Sequence, residues 1–313
     1  MKVAVVGAGV MGCAAAWALR ARGADVTVYE QFELDNVRGS SHGRSRIFRV
    51  AYPDPYWIRL AQEALAGWND LDPSLLGLYG LVELAPDPAL TSARALEECA
   101  VRFRLVTEIE GVAVPEGWTA LHVADAGIVY ADRARHAFLG GIDVQTNTRV
   151  DSLDDLDADT VVVTAGAWVG RLVEGLPVRV TRETVAYFRH PGPALPSVVD
   201  IGAGGGHEMY ALHDPVHGLK AGAHHAGGEA DPDETGAPDP AVVARIAAWV
   251  GERFPGVDPE PVETDTCVYT TTPDQTFVLE RRGRVVVGSA CSGHGFKFAP
   301  AVGRRLAELA TSA

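Results

Sequence analysis

Lys2-Val-Ala-Val-Val6 runs directly into Gly7-Ala8-Gly9-Val10-Met11-Gly12, and Cys13 to Leu19 continues in an alanine-rich helical pattern. The apolar run before the first glycine predicts a strand buried on both faces. Gly7 supplies a tight turn, Gly9 lets the backbone approach a pyrophosphate, and Gly12 lets the helix pack close to the strand. The helix N-terminus offers N–H groups and the positive end of its dipole to the same anion. Gly23 ends the helix, Asp25 to Tyr29 forms a second strand, and Glu30 follows it. A carboxylate there accepts hydrogen bonds from ribose hydroxyls and repels a 2′-phosphate. Strand, turn, helix, strand and acid in this order predict a dinucleotide site, with NAD and FAD both open.

The remaining composition narrows the class. A chain of 313 residues with 47% hydrophobic content can bury one or two domains. Its formal net charge of −14 argues against nucleic acid or anionic membrane as a partner, and reads most simply as a solvated acidic surface. No apolar run reaches the roughly 18 residues that a membrane span needs. No charged and apolar leader precedes the first strand, so a soluble, cytoplasmic protein is expected. Cys13, Cys99, Cys267 and Cys291 have neither CxxC nor metal-finger spacing, and no histidine spacing completes a metal site. Cys13 and Cys291 are expected to pack as small hydrophobes.

Arg38 to Arg49 is a basic stretch in an acidic chain, and Ile47, Phe48, Val50 and Ala51 interleave with Arg46 and Arg49. That pattern suits a strand carrying charge inward, towards an anion or a flavin. Tyr56, Trp57, Leu60, Ala61, Ala64, Leu65 and Trp68 recur at helical spacing and read as core. Strands are predicted at 78–84, 127–130, 144–150, 160–163 and 178–188, with more strand within 209–223. Helices are predicted at 90–102, 131–139, 240–254 and 300–311, the third capped by Asp239. Residues 151–159, 202–206 and 227–238 read as turns and loops. The whole predicts a mixed α/β fold. A Rossmann-like domain (1–80, 125–175, 265–313) is interleaved with a substrate domain (81–124, 176–264) on a largely antiparallel sheet.

Late in the chain stand Cys267-Val-Tyr269-Thr-Thr-Thr-Pro273-Asp274 and Gly293-His-Gly-Phe-Lys297-Phe298, with Gly218-Leu-Lys220 to His224 before them. Together with the opening motif and Ser41-His-Gly-Arg-Ser-Arg46, they resemble the monomeric sarcosine oxidase family. That family belongs to the D-amino-acid-oxidase-like flavoproteins, and its relatives include N-methyltryptophan and pipecolate oxidases. The resemblance spans nearly the whole chain.

It implies FAD, tethered covalently through Cys267, with Lys220 beside the flavin to help activate O2. Arg49 and Lys297 would grip a substrate carboxylate, while Tyr269, His224 and Tyr210 would line the substrate cavity. The cofactor would rest on Gly7, Gly9, Val10, Met11, Gly12, Glu30, Ser41, His42, Arg46, Val150, Ala165, Gly166, Gly293, Gly295 and Phe296, as well as on Cys267 and Lys297. The implied reaction is oxidation of the C–N bond of sarcosine or another small secondary amino acid, N-methyl or cyclic, to an imine. O2 would be reduced to H2O2 by a monomer. A planar guanidinium suits a carboxylate, and a buried ammonium stabilises charge developing on O2. A dehydrogenase passing electrons to another acceptor, or a flavin-binding protein without catalysis, would use the same fold. Two departures stand out: the chain is short for this family, and Arg44 adds positive charge where relatives often carry an acid.

Overall fold

The computed structural model describes residues 1–203, 207–289 and 291–312. Residues 204–206 of the predicted turn at 202–206 lie outside the described residues.

Lys2–Val6 sits inside a six-stranded sheet ordered Val278–Arg282, Val285–Ser289, Thr160–Val163, Lys2–Val6, Asp25–Tyr29, Asp143–Gln145. Every pair is parallel except the first. Val5 lies opposite Val28 on one side and Val162 on the other, and all three are fully buried. Valine-rich runs form these strands because both faces are covered. One cover is the helix Val10–Ala21, against which the last helix, Ala299–Thr311, packs. Their contact is backbone-close: a Cβ on Gly303 would come within 2.5 Å of the Ala14 carbonyl.

A second sheet has nine strands, antiparallel apart from the pairing of Leu81–Ala85 with Ser197–Asp200. Arg179–Arg189 is its spine, pairing with Gly218–Ala223 on one side and Pro261–Thr271 on the other. Residues along Met209–Asp214 alternate, as a half-buried strand requires. Met209 and Ala211 join the apolar core under helix Pro240–Arg253, and Tyr210 and Leu212 face the other way. Asp239 caps that helix through the Ala241 N–H at 2.8 Å, with Pro240 at its first position. A small third sheet joins Ser45–Phe48, Gly127–Tyr130 and Leu76–Gly77.

The expected helix over 90–102 is only Ala93–Glu98. A separate helical turn, Pro88–Leu90, breaks at extended Thr91; buried Glu83 accepts the Ser92 N–H and Oγ–H and so fixes the helix start, and Ala100 then turns at φ 55°. The strand expected at 144–150 stops at Gln145, because Asn147 turns at φ 53° and donates its N–H to the Phe32 carbonyl. The strand expected at 78–84 is Leu81–Ala85. The stretch 209–223 is a hairpin whose turn is held by Asp214 accepting the Val216 and His217 N–H groups. Residues 227–238 include a two-residue edge strand, Gly228–Glu229. Tyr56, expected in the core, is 45% exposed and bonds the Arg305 guanidinium.

Among the described residues, no helix is long and apolar enough to cross a membrane. No group of three or more potential ligand side chains could hold a metal ion there.

Candidate active site

One continuous cavity of about 290 Å³ runs from the opening glycine turn to the face of the second sheet. Its first end is built for a dinucleotide. Gly7 has φ 102°, and a Cβ on Gly12 would lie 1.8 Å from the Gly7 carbonyl, so the helix can approach the strand only as glycine. Val10 N–H donates to Ser41 Oγ at 3.0 Å, which closes the loop over the helix N-terminus. Glu30 is buried, and its two oxygens accept the Ala8 N–H at 2.9 Å and the Phe32 N–H at 3.0 Å. Lone pairs remain on both oxygens for ribose hydroxyls. Ala165, Gly166 and Val150 complete this wall. These residues fit FAD: a turn too tight for side chains takes the pyrophosphate, and the acid takes the ribose.

The middle of the cavity is crossed by residues 39–46. His42 holds this segment to the second sheet, its ring nitrogens facing the Gly39 and Thr266 carbonyls, both at 3.0 Å, with Asp265 at 3.2 Å. Ser40 Oγ donates to the Val268 carbonyl. Arg46 donates to three carbonyls, those of Ser40, His42 and Ser45, so its orientation is fixed. Cys267 lies opposite Glu183 in the strand register and lines the cavity. Burial pushes its thiol up to about 11, against the pull of the Arg46 and Lys220 charges.

Lys220 lies opposite Tyr187 on one side and Leu212 on the other. Its ammonium stands 5.4 Å from the centroid of the Tyr187 ring and is only 6% exposed. Burial, then the neighbouring Arg46, lowers its pKa to about 7. Arg44 covers the same ring at 4.6 Å. The positive charge expected from Arg44 is not free, because it is paired with buried Asp214 at 2.9 Å and with Glu263 at 3.2 Å.

At the far end, Arg49 lines the cavity with its guanidinium 4.3 Å from the Tyr52 ring. Tyr269 and His224 meet at 5.6 Å between ring centroids, over the backbone of Gly293. A Cβ on Gly293 would come 2.5 Å from the Tyr269 ring and 2.6 Å from His224 Cε1. Burial, with the neighbouring His225 and Arg49, drives His224 down to about 2, so the imidazole is neutral. Tyr210 shares this wall, and burial raises its phenol well above the usual range.

Two of the sequence-derived residues are not on the cavity wall. Gly12 lies beneath the helix, where it acts through packing. Lys297 is buried, with its ammonium donating to the His294 carbonyl at 2.7 Å. Burial and then Arg49 hold it well below the ordinary lysine value. Cys291, expected to pack as a small hydrophobe, lines the cavity with its sulfur 3.9 Å from Ser40 Oγ. Further residues on or beside this cavity that lie outside the motifs include Tyr187 under Lys220, Ser40, Arg135 and Glu208. Strand parity alone could have revealed Glu208, since it shares the face of Tyr210 and Leu212.

Comparison with known proteins agrees with this architecture. The family model described as DAO, FAD dependent oxidoreductase, matches residues 2–309. The chain is 32% identical to human peroxisomal sarcosine oxidase, over 97% of this chain and 90% of the relative. It is 27% identical to the monomeric sarcosine oxidase of a Bacillus species, over 98% and 91%. Among solved structures, it is similar to NikD, an unusual amino acid oxidase essential for nikkomycin biosynthesis. That match has a TM-score of 0.85 at 24% identity and covers 99% of this chain and 93% of the other.

Proposed function

We propose that this chain, which belongs to the DAO family of FAD-dependent oxidoreductases, oxidises the C–N bond of a small secondary amino acid to an imine, with O2 reduced to H2O2. The observation that carries this reading is one cavity that joins a dinucleotide cradle to a cationic anchor, Arg49, and a buried ammonium, Lys220. The names of the relatives, sarcosine oxidases, support the substrate class.

FAD, when bound, would accept the hydride that leaves the carbon as the nitrogen lone pair forms the C=N bond, and would pass that electron pair to O2. The chain does the rest. Arg49 takes the substrate carboxylate through its planar fork and thereby fixes where the nitrogen lies. Tyr269 and neutral His224 wall the adjoining space and add no positive charge to it. The substrate nitrogen must be an uncharged amine, since only then is a lone pair available, and the nearby Arg49 and Lys220 charges favour that form. Lys220, held over the Tyr187 ring, presents its ammonium where negative charge develops on O2. Cys267 would tether the cofactor by a thioether; burial pushes its thiol up to about 11, and the Arg46 and Lys220 charges pull against that rise. The protein would act as a monomer.

Anaerobic mixing of the purified holoprotein with sarcosine, other N-methyl amino acids and cyclic amino acids tests the assignment. Bleaching of the flavin band by a secondary amino acid, followed in air by H2O2 in equal amount to substrate consumed, is expected. Full retention of the flavin colour with every member of the panel would overturn it.

A further inference from the structure

Glu208 immediately precedes the strand Met209–Asp214 and shares its cavity-facing parity with Tyr210 and Leu212. Three carboxylates line the cavity: Glu30, Asp151 and Glu208. Glu30 accepts two backbone N–H groups and Asp151 accepts Arg149 Nε at 2.7 Å. Ion pairs in the second sheet and its helix join Arg44 to Asp214 and Glu263, His217 to Glu263, and Arg253 to Asp200. Among the described residues Glu208 belongs to none of them, and only its backbone carbonyl is engaged there, by the His224 N–H at 2.8 Å. The carboxylate is close enough to Arg49 to stabilise that charge through space without forming an ion pair with it. The same cavity has an aliphatic wall: Val185 and Val199, in the transverse row of Tyr210 on the sheet, are nearly fully buried and line it.

Once a ligand closes the cavity over it, a carboxylate without a partner is costly unless a cation completes it. The reacting nitrogen is a poor candidate, because a carboxylate beside it would raise its pKa and hold it as the unreactive ammonium. We infer that Glu208 is a specificity-determining residue that receives a second, distal positive charge on the substrate. The preferred substrate is then a secondary amino acid whose aliphatic side chain ends in an amine or guanidine. Its carboxylate lies on Arg49, its stem runs along the aliphatic wall of Val185 and Val199, and its terminal cation lies on Glu208. This rests on the reading above that Arg49 takes the carboxylate, but not on the oxidation itself.

The test is a binding measurement on the holoprotein by calorimetry, comparing butanoate, pentanoate and hexanoate with their ω-amino counterparts, none of which has an α-amine to oxidise. At one length or more the ω-amino acid should bind about tenfold tighter than the matching alkanoate, and Glu208→Gln should abolish that preference. Equal affinities at every length, a preference that survives Glu208→Gln, or no binding by either series would overturn the inference. So would equal weakening of both series in Glu208→Gln, because that outcome makes Glu208 a support for Arg49 only. If the preference is found while secondary amino acids leave the flavin colour intact, the reaction assigned above falls and the charge recognition stands.

Discussion

Arg49 and Lys297, from opposite ends of the chain, converge on one aromatic ring. The Arg49 guanidinium lies 4.3 Å and the Lys297 ammonium 5.9 Å from the centroid of Tyr52. Their roles differ, because Lys297 already donates to the His294 carbonyl and only Arg49 lines the cavity. Arg49→Lys is therefore expected to raise KM for carboxylate substrates by about tenfold or more, since a point ammonium cannot reproduce two parallel bonds. Lys297→Met should raise it less. Steady-state kinetics with one substrate checks the order, and a larger effect at Lys297 would reverse the assignment.

Lys220→Met should slow reaction of the reduced protein with O2 by about a hundredfold or more, while anaerobic reduction by substrate changes far less. The pH dependence follows from the lowered pKa of about 7. Below that value Lys220 carries its charge, and above it the charge is lost. Reoxidation in the unaltered protein should decline as pH rises through about 7, and the Met variant should show a flat profile in stopped-flow traces. A wild-type rate that rises through the same range would contradict the assignment.

Acid-precipitated protein should keep its yellow colour if Cys267 carries the cofactor, and Cys267→Ser should release the colour to the supernatant. Colour in the supernatant of the unaltered protein would remove the covalent link and leave the rest of the site intact.

His224 and His294, at about 2 and about 3, are both depressed first by burial and then by neighbouring charge. An unfolded histidine titrates near 6.5, so below that pH the unfolded chain binds protons that the folded chain refuses. Stability should thus fall as pH drops from about 6.5 towards 4, by ~1.4 kcal/mol per pH unit for each histidine, with no contribution above 6.5. Denaturant melts of His224→Gln should show a shallower acid slope than the parent, and an unchanged slope would contradict the buried neutral state.

Gly293→Ala forces a methyl between Tyr269 and His224, where less than 3 Å is available. Its φ of 72° adds strain for any other residue. Substrate oxidation should fall by about tenfold or more with FAD still bound, read as an intact flavin spectrum beside a reduced kcat/KM. Unchanged kinetics would show that the two rings do not shape the substrate space.

The sequence disclosed those parts of the site whose constraints are local. The glycine turn is legible because 2.6 Å to the Thr164 carbonyl at Gly7 and 1.8 Å at Gly12 permit no side chain. Cys267 and Tyr269 are legible as alternate residues on one strand. The pairing of Arg44 was hidden, because Asp214 and Glu263 reach it from two distant strands. Glu208 carries no motif; only its parity with Tyr210 and Leu212 points to it in the sequence, and its nearness to Arg49 is a tertiary relation. Helix ends were misjudged where a tertiary bond, such as Glu83 to Ser92, overrode periodicity.

The helix Ala299–Thr311 lies directly on Val10–Ala21, so a helix early in the sequence is covered by one far along it. On the ribosome, the glycine-rich motif must wait for that distant helix to emerge before its outer face is shielded. Loading of the cofactor is consequently expected only after residues 299–311 have been made and have docked.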